Sequence, residues 1–277
     1  MISGNTRLLA HVGYPTHTFK SSFIYNPWFE KQGIDACVVP MGVRADGFAA
    51  ALQHILAMSN VCGAIITMPH KVSVVELLDK PSTAVQICGA CNAVRRNADG
   101  VLEGDQFDGQ GFVRGVLSKG VVLYGARGLI AGCGGVGSAI AAALAAAGIH
   151  ELVLFDPRHA VAEGLAQRLR QHYPQLLVSV SSNDPDGFDL VVNATPLGMN
   201  ADDPLPLDVG RISPRALVAD VVLKEQYTPF LRAVRDKGCT VQVGTDMLFE
   251  MIPAYLEFFG FGTASAEELR AGAALVH

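Results

Sequence analysis

The sequence predicts an α/β protein made of two parts. Three observations carry that expectation: apolar runs alternate with helical segments along most of the chain, a glycine-rich turn joins an apolar run to an alanine-rich helix near its middle, and 277 residues suffice for two medium cores. Half of the residues are hydrophobic and 17% are charged, a balance that suits sheets covered on both faces. The net charge is −5 and Lys and Arg are dispersed, which leaves no footprint for nucleic acid or an anionic membrane. A small molecule is the expected partner, and a homodimer is admitted. No apolar run reaches the ~20 residues that a membrane helix needs. No secretory leader is read at the N-terminus, and the six cysteines lie mostly in apolar runs, so a reducing cytoplasm is expected. Cys88 and Cys91 have no second pair and no nearby histidine, and are read as small core residues rather than a metal site.

In the first part, over residues 1–107, the pattern gives a strand at Leu8–Gly13, a helix from Ser21 to Lys31, a strand at Ala36–Met41, a helix from Asp46 to Met58 and a strand at Gly63–Met68. Asn92–Arg96 and Val101–Glu103 flank Asn97-Ala98-Asp99-Gly100, a hairpin signal. A helix from Asp108 to Leu117 opens the second part, residues 108–245, whose strands are expected near Leu129, Leu152, Leu177, Leu190, Leu217 and Val241. Met247–Phe259 is apolar on nearly all sides, so residues from about 246 to 277 are expected to return to the first part.

Residues 127–138 hold the most specific local pattern. Gly132 allows a tight turn, Gly134 lets the backbone approach a pyrophosphate and Gly137 permits close contact of helix and strand, while the N–H groups of Gly135 and Val136 open the helix. Asp156 follows a second strand at about the ~20-residue spacing where an acid meets an adenosine ribose. A carboxylate accepts from two free ribose hydroxyls and repels a 2′-phosphate, so NAD is favoured over NADP, with Arg158 the residue that could still reach a phosphate.

The ordered set Gly13-Tyr14-Pro15, Lys20-Ser21, Thr67-Met68-Pro69-His70-Lys71, Gly89-Ala90-Cys91-Asn92-Ala93, Gly104 to Gly109, the glycine turn, Asn193 to Met199, Asp220, Tyr227 to Phe230 and Gly244 with Met247-Leu248 resembles the shikimate and quinate dehydrogenase family over almost the whole chain. The resemblance implies an N-terminal α/β substrate domain, a Rossmann-type doubly wound dinucleotide-binding domain, and a C-terminal helix returning to the first. It implies NAD(P)-linked interconversion of shikimate, or a related hydroxylated ring acid, and its 3-dehydro ketone. Lys71 and Asp108 match the family's catalytic pair. Ser21, Thr67 and Asn92 match positions that bond substrate hydroxyls or carboxylate, and Thr195, Pro196, Met199, Val222 and Gly244 fall on loops lining the nucleotide. Other readings are a dehydrogenase for quinate, an aminated analogue or another cyclic alcohol, and a ligand sensor that has lost turnover.

Several positions depart from the family's pattern. Phe19 stands where the first serine of a carboxylate-binding pair is usual, Ile65 replaces an asparagine, Gln106-Phe107 replace Asn-Thr, Leu223 replaces a tyrosine and Met251 replaces a glutamine. A more apolar pocket is therefore expected, with Thr18, Lys20, Tyr25 or His70 as candidates to grip the carboxylate. His70 itself is expected to be partly exposed at a helix start.

Overall fold

The computed structural model describes residues 2–200 and 202–274. The chain divides into two units, Met1–Phe107 with Ile252–His277, and Asp108–Met251.

The first unit is a mixed six-stranded sheet. Its strands are β1 (Arg7–Gly13), β2 (Ala36–Gly42), β3 (Val61–Ile66), β4 (Lys80–Pro81), β5 (Ala93–Arg96) and β6 (Leu102–Asp105), in the order β2-β1-β3-β5-β6-β4. β1 runs parallel to β2 and β3, while β5 and β6 form an antiparallel hairpin. The hairpin turn works because Gly100 takes a φ of +83° and the Asn97 side chain accepts from the N–H groups of Asp99 and Val101. Side chains alternate across the sheet. On one face Ala10, Val12, Ala64 and Ile66 enter a core with Phe48 and Leu52 of the helix Phe48–Ile55. That helix is shorter than the sequence pattern suggests, because residues 45–47 form a 3₁₀ turn before it. On the other face stand His11, Gly13, Ile65 and Thr67.

The second unit is a parallel sheet of β7 (Arg127–Ala131), β8 (Glu151–Phe155), β9 (Leu177–Val180), β10 (Leu190–Asn193), β11 (Leu217–Asp220) and β12 (Thr240–Gln242), in the order β12-β11-β10-β7-β8-β9. Numbered within the unit this is 6-5-4-1-2-3, the doubly wound order, with its switch point between β7 and β10. The helices Asp108–Ser118 and Gly135–Ala146 touch backbone to backbone, since a Cβ on Gly109 would lie 2.1 Å from the Ala139 carbonyl oxygen. Small residues there are a packing requirement, which explains the alanine-rich run.

The helix Gly244–Phe258 starts in the second unit, earlier than its apolar pattern indicates, and ends in the first. Within the first unit the Arg95 guanidinium lies 4.4 Å from the Phe258 ring centroid and donates to the Phe258 carbonyl, and Phe107 meets Tyr255 edge-on at 5.0 Å. Among the described residues no helix is long and apolar enough to cross a membrane.

Candidate functional site

The polar face of the first unit collects residues from distant stretches of sequence. Gly13 ends β1, and a Cβ there would stand 2.4 Å from Thr67 Cγ2 and 2.9 Å from Phe19 Cζ, so the bare glycine lets both side chains close over the strand end. Phe19 is buried and stacks on His11 at 4.1 Å between centroids, 21° from parallel. The His11 ring bonds through Nδ1 to Ser21 Oγ at 2.5 Å. Burial first, and then the positive charge of Lys71, push this imidazole down to about 4, so it is neutral at physiological pH. Lys71 lies half-buried in the turn after β3, and its carbonyl accepts from the Cys91 N–H at 2.8 Å. Beside it in sequence, Asn92 is fully buried. Its amide donates to Gln106 Oε1 and its oxygen accepts the Phe107 N–H at 3.0 Å, which braces the end of β6.

His70 corrects an expectation. It is 1% exposed, stacked on Phe48 at 4.0 Å, with Nε2 bonded to the Val43 carbonyl at 2.8 Å, because it belongs to the core rather than to an open helix start. Thr18 donates to the Pro15 carbonyl, Lys20 is exposed and Tyr25 is buried. Cys88 and Cys91 are buried, and burial is the first cause that raises the Cys91 thiol to about 12.

In the second unit, Gly132 takes a φ of +96° and a Cβ on it would meet the Ala194 backbone at 2.6 Å; one on Gly137 would lie 1.9 Å from the Gly132 carbonyl oxygen. The turn is thus locked between the ends of β7 and β10, at the switch point. Gly134 and Gly135 have no atom within 4 Å of their Cβ positions, so the mouth of the turn is open and the helix N–H groups behind it are accessible to an anion. Val136 is half-buried on the first turn of that helix.

Asn193 organises the facing loop. Its Nδ2 donates to the Leu197 carbonyl and to Asp220 Oδ1, both at 3.1 Å, and its Oδ1 accepts from Thr195 N–H and Oγ1. Asp220 in turn accepts from Thr228 Oγ1 at 2.6 Å and from the Val222 N–H at 3.1 Å. Burial raises its pKa in spite of these bonds. Thr195 is half-buried, Pro196 and Met199 are exposed, and Lys224 donates to the Met199 carbonyl. Gly244 is required because its Cβ would lie 2.7 Å from the Val222 carbonyl oxygen. Leu223 is exposed and Met251 half-buried, the latter lying against Gly111. Asp108 is buried at the first position of its helix.

Residues 12–94 match the family model described as the shikimate dehydrogenase substrate binding domain. The chain is 35% identical over 263 residues to a shikimate dehydrogenase (NADP(+)) of Acidiphilium cryptum, covering 94% of this chain and 93% of the relative. It is 35% identical over 251 residues to one of Rubrobacter xylanophilus, covering 89% and 88%. Among solved structures, a shikimate 5-dehydrogenase from Listeria monocytogenes superposes with a TM-score of 0.89 at 26% identity, covering 98% and 97%. The chain belongs to the shikimate and quinate dehydrogenase family. As a member of that family it is an oxidoreductase.

Membership corrects the preference for NAD. The sequence relatives are named as NADP(+) enzymes, and the nucleotide indicated is NADP. The geometry gives the physical reason. Asp156 is buried, its Oδ2 accepts the Cys133 N–H at 3.0 Å, and its Oδ1 accepts Arg158 N–H at 2.9 Å and Nε at 3.2 Å. Burial opposes its charge, but these bonds outweigh it and hold the carboxyl below its usual range. The carboxylate is committed to the glycine turn and half-neutralised by a guanidinium whose side chain is 72% exposed, so the outward-facing group is the cation. Sequence spacing alone does not reveal which way the acid faces.

Two features escape the motif reading. The residues of the Asn193–Asp220–Thr228 relay all lie in the motif set, but the bonds that join them span 27 and 8 residues and are not read from it. His11 is visible as a lone imidazole in an apolar strand, yet its partners come from elsewhere in the sequence.

Proposed function

We propose that the protein exchanges a hydride between NADP and shikimate, or a closely related hydroxylated ring acid, interconverting the alcohol and its 3-dehydro ketone. The observation that carries this reading is identity of 35% with a named shikimate dehydrogenase (NADP(+)) across nine-tenths of both chains, 94% and 93%. The open mouth at Gly134 and Gly135, backed by a 12-residue helix, fits a dinucleotide pyrophosphate.

When bound, NADP supplies the acceptor for the hydride that leaves the carbinol carbon. The remaining work falls to side chains. Oxidation of the alcohol also releases the hydroxyl proton, and the reading assigns its handling to Lys71 and Asp108. Ser21, Thr67 and Asn92 are assigned to the ring acid; Thr195, Pro196, Met199, Val222 and Gly244 are assigned to the nucleotide with the glycine turn, and Arg158 to its 2′-phosphate. Substrate domain and nucleotide domain correspond to the first and second units. Phe19, Ile65, Leu223 and Met251 favour a second reading, a less polar cyclic alcohol in place of shikimate, because each offers fewer hydrogen bonds than a polar residue there.

Nicotinamide absorbance followed with NADP and a panel of shikimate, quinate, their aminated analogues and neutral cyclic alcohols tests this. Turnover of a ring acid is expected. Activity confined to neutral alcohols would replace the substrate, and none with any member would overturn the dehydrogenase reading.

A further inference from the structure

The face of the first sheet that carries the candidate substrate residues has one polar side chain with no role yet. His11 pairs in register with Ile65 on the neighbouring parallel strand, so the two side chains stand together on that face, one step from Gly13 and Thr67. Ile65 occupies a position where the resemblance places an asparagine, and Phe19 one where it places a serine of the carboxylate-binding pair. Both of those hydrogen-bonding groups are missing here. An imidazole lies against both replacements, stacked on Phe19 and bonded to Ser21, the surviving serine.

We propose that His11 is a substrate-recognition residue that supplies the carboxylate hydrogen bond lost at Phe19. This rests on the ring-acid reading of the same site. The imidazole is neutral, so it donates from one nitrogen and accepts at the other. With the Ser21 hydroxyl donating to Nδ1, the proton sits on Nε2, which has no protein partner among the described residues. Nε2–H is then a donor for an acceptor oxygen. The stacked Phe19 ring fixes the plane of the imidazole, so the donor's direction is set before substrate arrives. Two of the other candidate grips are engaged elsewhere, Thr18 with Pro15 and His70 with Val43, while Lys20 is exposed and Tyr25 is buried. Lys71 adds nearby positive charge, which favours an anionic group over a neutral one.

The test compares the intact protein with His11→Val and His11→Asn, measuring kcat and KM separately for shikimate, shikimate methyl ester and NADP. For His11→Val the KM for shikimate is expected to rise about tenfold, the loss of one directed hydrogen bond to a charged group, with kcat within about threefold and the KM for NADP unchanged. The methyl ester, a weaker acceptor without the charge, is expected to change much less. His11→Asn keeps a donor on a shorter stem and recovers part of the loss. Melting temperature and NADP binding confirm that each variant is folded; if His11→Val is not, His11→Leu, which also lacks a donor, carries the same comparison. An unchanged KM for shikimate in a folded variant overturns the inference, and so does an equal change for acid and ester, which marks a structural role. In both cases turnover by the intact protein leaves the dehydrogenase reading standing. An intact protein that turns over no ring acid overturns the ring-acid reading of the site, and this inference with it.

Discussion

The glycine turn of the second unit and the polar face of the first are built by different constraints. At the turn, backbone meets backbone: a methyl on Gly137 would penetrate to 1.9 Å from the Gly132 carbonyl, and one on Gly132 to 2.6 Å from the Ala194 backbone. On the polar face, side chain meets side chain: His11, Phe19, Ser21, Ile65 and Thr67 can exchange roles so long as the face remains filled and its hydrogen bonds made. The first arrangement tolerates almost no substitution. The second can be rewritten, and exchanges at positions 19 and 65 indicate that it has been.

The largest effect is expected at Lys71, the residue of the first unit to which the proposed function assigns proton handling. Lys71→Ala is expected to lower kcat by roughly 10²–10⁴ while leaving NADP affinity unchanged, measured by turnover and by nucleotide titration. Retained turnover would remove the proton role from this lysine. The rigid side of the comparison is tested by Gly137→Ala. Alanine gains ~1 kcal/mol in helix propensity, but the clash with a main-chain carbonyl cannot relax by rotating a side chain and outweighs that gain. A net loss of about 3 kcal/mol and of NADP binding is expected in denaturant unfolding. Gly135→Ala is the control. Its Cβ enters open space, so stability should hold and only nucleotide affinity should fall.

The same contrast explains what could be read from the sequence. The six strands of the second unit follow from short apolar runs and turn glycines, signals that are local, while its doubly wound arrangement is what the family resemblance implies. Gly132 and Gly137 are legible because sterics admit no other residue, whereas Gly134, whose Cβ would enter open space, is legible only by its place in the spacing. Asp156 is legible as an acid after a strand but not as one turned inward by the Cys133 N–H, since that depends on a partner 23 residues away. His70 and His11 show the limit from both sides. One sits beside Lys71 in a matching motif and is a core residue; the other lies in no motif and faces the candidate substrate residues. Sheet register places His11, and contacts with Phe48 and Val43 place His70; both are long-range properties.

A milder probe of the rewritten face is its response to acid. The folded state holds the His11 pKa near about 4 against 6.5 for an ordinary histidine, with burial the larger cause and Lys71 the second. Between those values the unfolded chain binds the proton and the folded one does not. Stability is therefore complete above pH 6.5 and falls as pH drops toward 4, by up to ~3 kcal/mol from this group. Carboxylates contribute to acid unfolding over part of the same window. The difference between the intact protein and His11→Asn, in urea titrations from pH 7 to 4, isolates the imidazole. Parallel curves would mean that His11 is solvated, and the polar face less enclosed than the stack on Phe19 indicates.

The smallest expected effect lies where the rigid turn carries a replaceable side chain. Arg158 is exposed and tethered only at its base by Asp156, so a bond to a 2′-phosphate is screened by water and worth about tenfold in affinity rather than several orders. Arg158→Ala should raise the KM for NADP by about that factor and leave the KM for NAD within about twofold. Arg158→Lys keeps the charge without the planar fork and should fall between them. Equal losses with both nucleotides would place Arg158 among the residues that hold Asp156 and shape the turn, and would move nucleotide choice away from this side chain to the backbone it braces.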